Sequence, residues 1–506
     1  MSSQIDAWNG APAGGIHMIL VKRRSNSGFV WYAGGLFRDS ILTDCVRHSW
    51  TARGCQRWVL LFQYPTMCMS GGIVMRFFAI GALLLGAMQA RTVATPQIDL
   101  AIGSPGVNGT VEALEVWSDT ASPGVVASGA FTTAGGVGAQ RIALWRNGAW
   151  SALGAGLNNR AFAVTALPGQ LGGGVVATGL FTISGSQLAS HIARWDGVKW
   201  HALGAGLNGL GRALRVFNDG AGEALYVGGA FTVAGGVATA NIARWDGAAW
   251  SSVGAGLPGV VRALAVYDDG SGPALYASGD FPAADGSVAG VARWTGLAWT
   301  ALGAGFNGLI HVLAVYDAGT GRGLYASGAF TSVGGVAISH VARWDGLAWR
   351  DIGGGVDGDA LAMAVWDDGA GPSLYVGGNF LNAGGGAAAR LASWDGATWS
   401  AGPVGADAAV WALLSRSDSA TSASLFLGGQ FSQVSGAQVG RVASVTSTLA
   451  AALPGDVTGD GKVGPADLLV VLSNWGGPGP LGDANADGVV GPADLLVLLA
   501  NWGRMA

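Results

Sequence analysis

Between about residue 98 and residue 450 the chain alternates short apolar runs with glycine-rich turns, and the alternation is periodic. In one copy, Arg212-Ala-Leu-Arg-Val-Phe217 gives way to the turn signal Asn-Asp-Gly-Ala-Gly and then to Ala224-Leu-Tyr-Val-Gly-Gly229. A loop through Ala234-Gly-Gly236 leads to Asn241-Ile-Ala-Arg-Trp245, a tight Asp246-Gly247 turn and Ala249-Trp-Ser-Ser-Val253. The second run is rich in β-formers, and Asp-Gly accepts the positive φ of a hairpin turn, so each copy predicts four short strands. The phenylalanine after the second run recurs at Phe131, Phe181, Phe231, Phe281, Phe330, Phe380 and Phe431, a spacing of 49 to 51 residues. Seven copies of a four-strand unit predict an all-β fold, a seven-bladed β-propeller in which each unit buries its faces against its neighbours. An open β-solenoid with degenerate end caps is the alternative.

The ends of the array favour the ring. Six tryptophan pairs, Trp145/Trp150 to Trp394/Trp399, serve seven units. The seventh unit has Arg441-Val-Ala-Ser-Val445 as its third strand and then no tryptophan hairpin. Ile98-Asp-Leu-Ala-Ile-Gly103, followed by the run ending at Trp117, aligns with the tail of the other units. The amino-terminal segment is therefore expected to supply the fourth strand of the last blade and remove the open edge. The runs around Leu114, Phe162, Leu214, Leu264, Leu313, Met363 and Leu413 are the expected innermost strands.

Glycine is 88 of 506 residues while charged residues are 11%, and the glycines sit at fixed places in the unit, as turns rather than as a disordered or collagen-like composition. Cys45, Cys55 and Cys68 all precede Met75, so the repeats contain neither a disulfide nor a thiolate metal site. The first 74 residues carry seven basic and three acidic side chains, leaving 20 basic against 28 acidic in the remainder. An acidic body without a basic stripe argues against nucleic-acid binding.

Met75-Arg76 and the twelve apolar residues Phe77 to Met88, with Ala90, Thr92 and Ala94 behind them, read as a secretory signal peptide too short to span a bilayer. Translation is expected to begin at Met69 or Met75, with residues 1–74 an upstream extension foreign to the native chain. The expected organisation is then 75–94 leader, 95–450 propeller and 454–506 terminal module, exported and with no membrane span.

The Gly-Gly ending of the second run and the tryptophan downstream resemble kelch-type propellers, including the galactose-oxidase group, over about residues 98–450. The Phe-Thr-x-Ala-Gly-Gly loop is longer than that family's. Copper-radical chemistry of the galactose-oxidase kind needs a cysteine cross-linked to a tyrosine, and no cysteine follows residue 68. Residues that repeat seven times are poor catalysts, because a site needs one asymmetric constellation. The tryptophans are therefore expected between blades, and the arginines before them (Arg194, Arg244, Arg293, Arg343) as partners of turn carbonyls or Asp. Asp196, Asp246, Asp345 and Asp395 are read as turn residues. The repeat is broken by Asp280, Asp285, Asp351, Asp357, Asp359, His191, His201, His311 and His340. No catalytic residue is assigned.

From Gly455 the pattern changes to two twelve-residue loops, each leading into an apolar helix. Calcium takes six to eight hard oxygens, from loop positions 1, 3, 5, 7 and 12, with glycine at 6. The first loop offers Asp456, Thr458, Asp460, the Lys462 carbonyl and Asp467, and the second Asp483, Asn485, Asp487, the Val489 carbonyl and Asp494. Two Ca2+ sites are expected, the first weaker because Thr458 is a neutral ligand. Tandem duplication with Asp at position 12 resembles a type I dockerin over residues 454–503. That resemblance implies a small all-α, calcium-binding module with a cohesin-like protein partner, in assemblies that often degrade polysaccharides. Positions 10 and 11 hold Pro465-Ala466 and Pro492-Ala493, where cellulosomal dockerins carry Ser-Thr-type pairs.

Two functions are open on the sequence. One is a secreted binding or scaffold protein whose propeller takes a glycan or protein ligand. The other is a carbohydrate-active hydrolase or lyase on the same ring, and repeat-breaking carboxylates converging on one mouth of the central channel would favour it.

Overall fold

The structure, a computed structural model, describes residues 18–25, 28–35, 96–118, 122–281, 290–318, 321–419, 421–448, 457, 463–476, 483–485 and 489–503. The chain divides into two compact units, Met1–Met88 and Gln89–Ala506. Of the first unit, one antiparallel hairpin is described, Met18–Ser25 paired with Gly28–Gly35. The expected leader, 75–94, lies outside the described residues. No described helix is long and apolar enough to cross a membrane.

The second unit is built from seven antiparallel four-stranded sheets, the blades. In the third blade Leu210–Asn218, Glu223–Ala230, Ile242–Trp245 and Trp250–Ser252 pair in sequence order, within two residues of the strands read from the sequence. The first strand of each blade touches the first strands of the blades before and after it, and the seventh touches the first, so seven inner strands enclose the central axis. Each second strand is buried almost throughout because a neighbouring blade covers each of its faces. Its run is accordingly apolar without alternation.

The seam closes as expected. Gln97–Asp99 pairs with Val442–Thr448 in the last blade, Ile98 opposite Val445. Gly440 N–H donates to the Gly103 carbonyl at 2.8 Å and Val107 N–H to the Gly440 carbonyl at 2.7 Å. A ring thus replaces the open array. One element differs from the sequence reading: the Ala234-Gly-Gly236 loop is a miniature hairpin, Val233–Ala234 against Val237–Ala238, turned by Gly235 and Gly236 at φ 58° and 89°. Six such hairpins occur among the described residues.

Every inner strand carries a β-bulge at its start, as between Val111 and Ala113 or Gly211 and Ala213. The bulge presses the backbone carbonyl ahead of it against the glycine that ends the second strand. A Cβ on Gly229 would lie 2.1 Å from the Leu210 carbonyl oxygen, and one on Gly129 2.1 Å from that of Thr110. The repeated glycine therefore makes room for the bulge, and the bulge frees one residue per blade from the ladder.

At the carboxyl end two helices are described, α1 (Pro465–Ser473) and α2 (Pro492–Ala500). Val463, Val471, Val490 and Leu498 bury their side chains together. Gly476 N–H donates to the Val490 carbonyl at 2.8 Å and Gly503 N–H to the Val463 carbonyl at 2.9 Å, so the end of each helix is tied to the loop before the other.

Candidate functional site

The repeated polar and aromatic residues have structural roles. Trp200 Nε1 donates to the Leu153 carbonyl at 2.7 Å and Trp250 Nε1 to the Leu203 carbonyl at 2.8 Å, each reaching the preceding blade. Trp299, Trp349 and Trp399 do the same, and Trp150 reaches the Ile102 carbonyl at 2.9 Å, across the seam. Arg194 donates to the Gly172 and Gly173 carbonyls, while Arg293 pairs with Asp269 at 3.4 Å and Arg244 approaches Asp219 at 3.9 Å. Asp196, Asp246, Asp345 and Asp395 each accept two backbone N–H groups of their own turn.

The repeat-breaking residues divide into two groups. Asp357 occupies the place of Asn208 and, like it, accepts two backbone N–H groups of the adjacent miniature hairpin, at 2.8 and 2.9 Å. His191 and His340 sit at φ 64°, where Asn241 and Arg441 sit in other blades, and each ring bonds a glycine carbonyl at 3.0 Å. His201 pairs with Asp196 on an outer strand, and Asp351 caps Gly354 N–H. These five are scaffold. Asp285 lies outside the described residues. Asp280, His311 and Asp359 remain, on consecutive blades, and both carboxylates act on the His311 imidazole.

All seven inner strands run the same way along the axis, so their bulged residues form a ring at one mouth. In blade order the ring reads Glu112, Phe162, Arg212, Arg262, His311, Leu361 and Trp411. Two residues further along the strand the same comparison gives Leu or a close substitute in every blade, which is a packing position. Arg262 clamps Asp280 through Nε and Nη2, both at 2.7 Å. Arg160 Nη1 stands 3.6 Å from Glu112, and the Arg212 guanidinium lies 5.2 Å over the Phe162 ring.

Burial dominates the electrostatics of this mouth. It raises the Glu112 carboxyl above the usual range against the pull of Arg160 and Arg212. Burial, reinforced by Arg262, lowers the Arg212 guanidinium, and the same two causes hold the His311 imidazole below its usual range. His311 is therefore neutral at neutral pH. The Arg212 Nε and Trp411 Nε1 atoms are buried without a hydrogen-bond partner among the described residues. Deeper in the channel, Glu115 is pushed up to about 7 by burial, partly offset by its hydrogen bond from the Val116 backbone, the charge of Arg215 and the Thr165 hydroxyl.

Of the expected calcium ligands, Asp456, Thr458, Asp460, Lys462 and Asp487 lie outside the described residues. Asp467 and Asp494 are buried at the third position of their helices, and each accepts the backbone N–H of its N-cap glycine, Gly464 at 2.8 Å and Gly491 at 2.7 Å. Asn485 N–H also donates to Asp494 Oδ1 at 3.1 Å, which draws loop position 3 onto position 12. Burial works to raise the Asp494 carboxyl, but the N–H groups of Gly491, Asn485 and Ala484 outweigh it and keep it anionic. Asp483, Asn485, the Val489 carbonyl and Asp494 are the described oxygen donors to a cation in the second loop, and hard oxygens with a buried carboxylate suit calcium. Among the described residues no three His, Cys, Asp or Glu side chains gather as a metal cluster.

No protein-family profile matches this chain, and no curated protein matches it. Among solved structures it is similar to the extracellular domain of a hybrid two-component system from B. thetaiotaomicron, at 9% identity and a TM-score of 0.42 over 69% of this chain and 39% of that one. It is also similar to BBS1N in complex with ARL6DN, at 11% identity and TM-score 0.41 over 70% of this chain and 96% of that one. A third likeness is to an alpha-L-arabinofuranosidase from Fusarium graminearum in complex with an iminosugar inhibitor, at 10% identity and TM-score 0.29 over 56% and 92%.

The sequence reading passed over Glu112, Phe162, Arg212, Arg262 and Trp411. The signal was available in a column of the repeat rather than in a motif. The bulge position carries six residue types among seven copies, beside a column of leucine with one valine and one methionine.

Proposed function

We propose that this chain is an extracellular binding scaffold of the kelch-like propeller type, whose channel mouth takes a ligand. On this reading its carboxyl-terminal module is dockerin-like, loads two calcium ions and fastens the propeller to a cohesin-like protein. The observation that carries the binding role is the ring of dissimilar side chains at the bulge. A scaffold position repeats, whereas a recognition surface must present one asymmetric set. Docking is supported by Leu469, Leu472 and Trp475, along and just after α1, and by Leu496, Leu499 and Trp502 at the equivalent places of α2, all exposed on a small module.

A carbohydrate-active enzyme is the second reading, favoured by the electrostatic reach of Asp280 and Asp359 on His311 and of Glu112 and Asp280 on Arg212. Against it, both Asp280 oxygens are already engaged by Arg262.

The test uses residues 95–506 and 95–450 as baits on the native secretome, in calcium and in EDTA. The longer bait should retain a protein that the shorter one loses, and EDTA should release it. Equal capture by both baits would end the docking reading. A calcium titration of residues 454–506 followed by circular dichroism should show helix appearing with metal, because so small a core folds with the help of its ion.

A further inference from the structure

The geometry points to an acidic sugar, a uronate unit, as the ligand of the channel mouth, with its carboxylate on Arg212 and its ring face against Trp411. This rests on the mouth being the propeller's binding site. Several charges at the mouth need no ligand. Asp280 and Arg262 satisfy each other bidentately. Glu112, partly out of water, is already beside Arg160 at 3.6 Å.

Arg212 is left over. Its Nε is buried without a partner among the described residues, and the Phe162 ring 5.2 Å away backs the guanidinium plane. A stacked, desolvated guanidinium presents a rigid fork, and the group that matches a fork is a planar anion that accepts two parallel N–H bonds. One negative charge suits the site. A phosphate dianion would bring a second charge among Glu112, Asp280 and Asp359, and a neutral sugar would offer the Arg212 fork no planar pair of acceptors, although Glu112 and Asp280 lie within electrostatic reach of it.

The remaining walls select a sugar over a simple acid. Trp411 and Leu361 hold the bulge position of consecutive blades and are apolar, the character that the C–H face of a pyranose requires. His311, neutral, and Asp359, exposed at the rim, accept from ring hydroxyls.

The test titrates the full chain, in calcium, with galacturonate and digalacturonate and with their neutral counterparts galactose and galactobiose, by calorimetry. The uronates should bind at least tenfold more tightly than the neutral sugars. Arg212→Gln should remove that ratio, and Trp411→Ala should weaken uronate binding threefold or more while leaving discrimination intact. Thermal melts establish that the variants fold. If Arg212→Gln does not fold, Arg212→Lys, which keeps the charge and loses the fork, should lower the ratio several-fold. Acidic and neutral sugars binding equally, with loss in Trp411→Ala but not in Arg212→Gln, would overturn the acidic ligand and leave the mouth a binding site. No uronate binding at millimolar concentration also overturns it. If, in addition, no Trp411-dependent ligand of any class emerges, the binding-site reading fails as well.

Discussion

Glu115 keeps its proton at a pH where an exposed glutamate has lost it, since burial in the channel pushes its carboxyl up to about 7. The folded chain thus binds a proton that the unfolded chain releases near pH 4.5. Its contribution is fully present below the unfolded value and is lost as pH rises through 7, to the extent of about 2–3 kcal/mol. Denaturant unfolding at pH 5 and pH 8 should show that fall, and Glu115→Gln should flatten it. An equal slope in both proteins would remove Glu115 as the cause. The tryptophan bridges are smaller in effect. The Leu203 carbonyl that accepts from Trp250 also accepts from Gly206 N–H, so Trp250→Phe should cost only about 1 kcal/mol, read from the shift of an unfolding midpoint. At this scale the sequence was half legible. Trp, Arg and turn Asp could be assigned to structure because they recur, whereas His191 and His340 looked singular although their backbone position, at φ 64°, recurs in other blades. A one-letter comparison registers the side chain and misses the dihedral beneath it.

Among the described residues six blades carry two devices at the channel end, the bulge with its glycine and the Asn or Asp that caps the miniature hairpin, while the fourth has Pro258 at the capping position. Asn208 accepts Thr232 and Val233 N–H groups at 2.9 Å each and donates to the Thr232 hydroxyl. Asn208→Ala should cost about 1–2 kcal/mol in thermal or denaturant unfolding, and Asn208→Asp much less, because Asp357 and Asp407 do the same work in blades six and seven. Strand number, order and approximate bounds were legible because glycine turns punctuate β-formers at a fixed period. The miniature hairpin was not, since two-residue strands are too short to show alternation. Nor was the bulge, which leaves no mark except the glycine facing it.

For the molecule as a whole, the closing strand is the feature on which the other contacts depend. Removing residues up to Gly106 should strip the last blade of Gln97–Asp99 and the first of the Ile102 carbonyl, lowering the melting temperature and exposing the Val442–Thr448 edge to self-association, measurable by light scattering. Seven units and the shared blade could be read from the sequence because the array is short of a strand at one end and has a spare one at the other. The channel constellation was legible only as a variable column and not as a set of neighbours, because its members come from different blades and meet only when the ring exists. The seam also sets a timetable. Ser444 Oγ reaches the Asp99 carbonyl across 345 residues of chain. At ~5–20 residues per second of synthesis, the first closing residues wait roughly 20–70 s for their partners, while every completed blade still presents an unpaired face. The glycine-rich, sparsely charged blades must stay apart from neighbouring copies for that interval, so a folding helper acting before Val442–Thr448 emerges would matter more to yield than the stability of the finished ring.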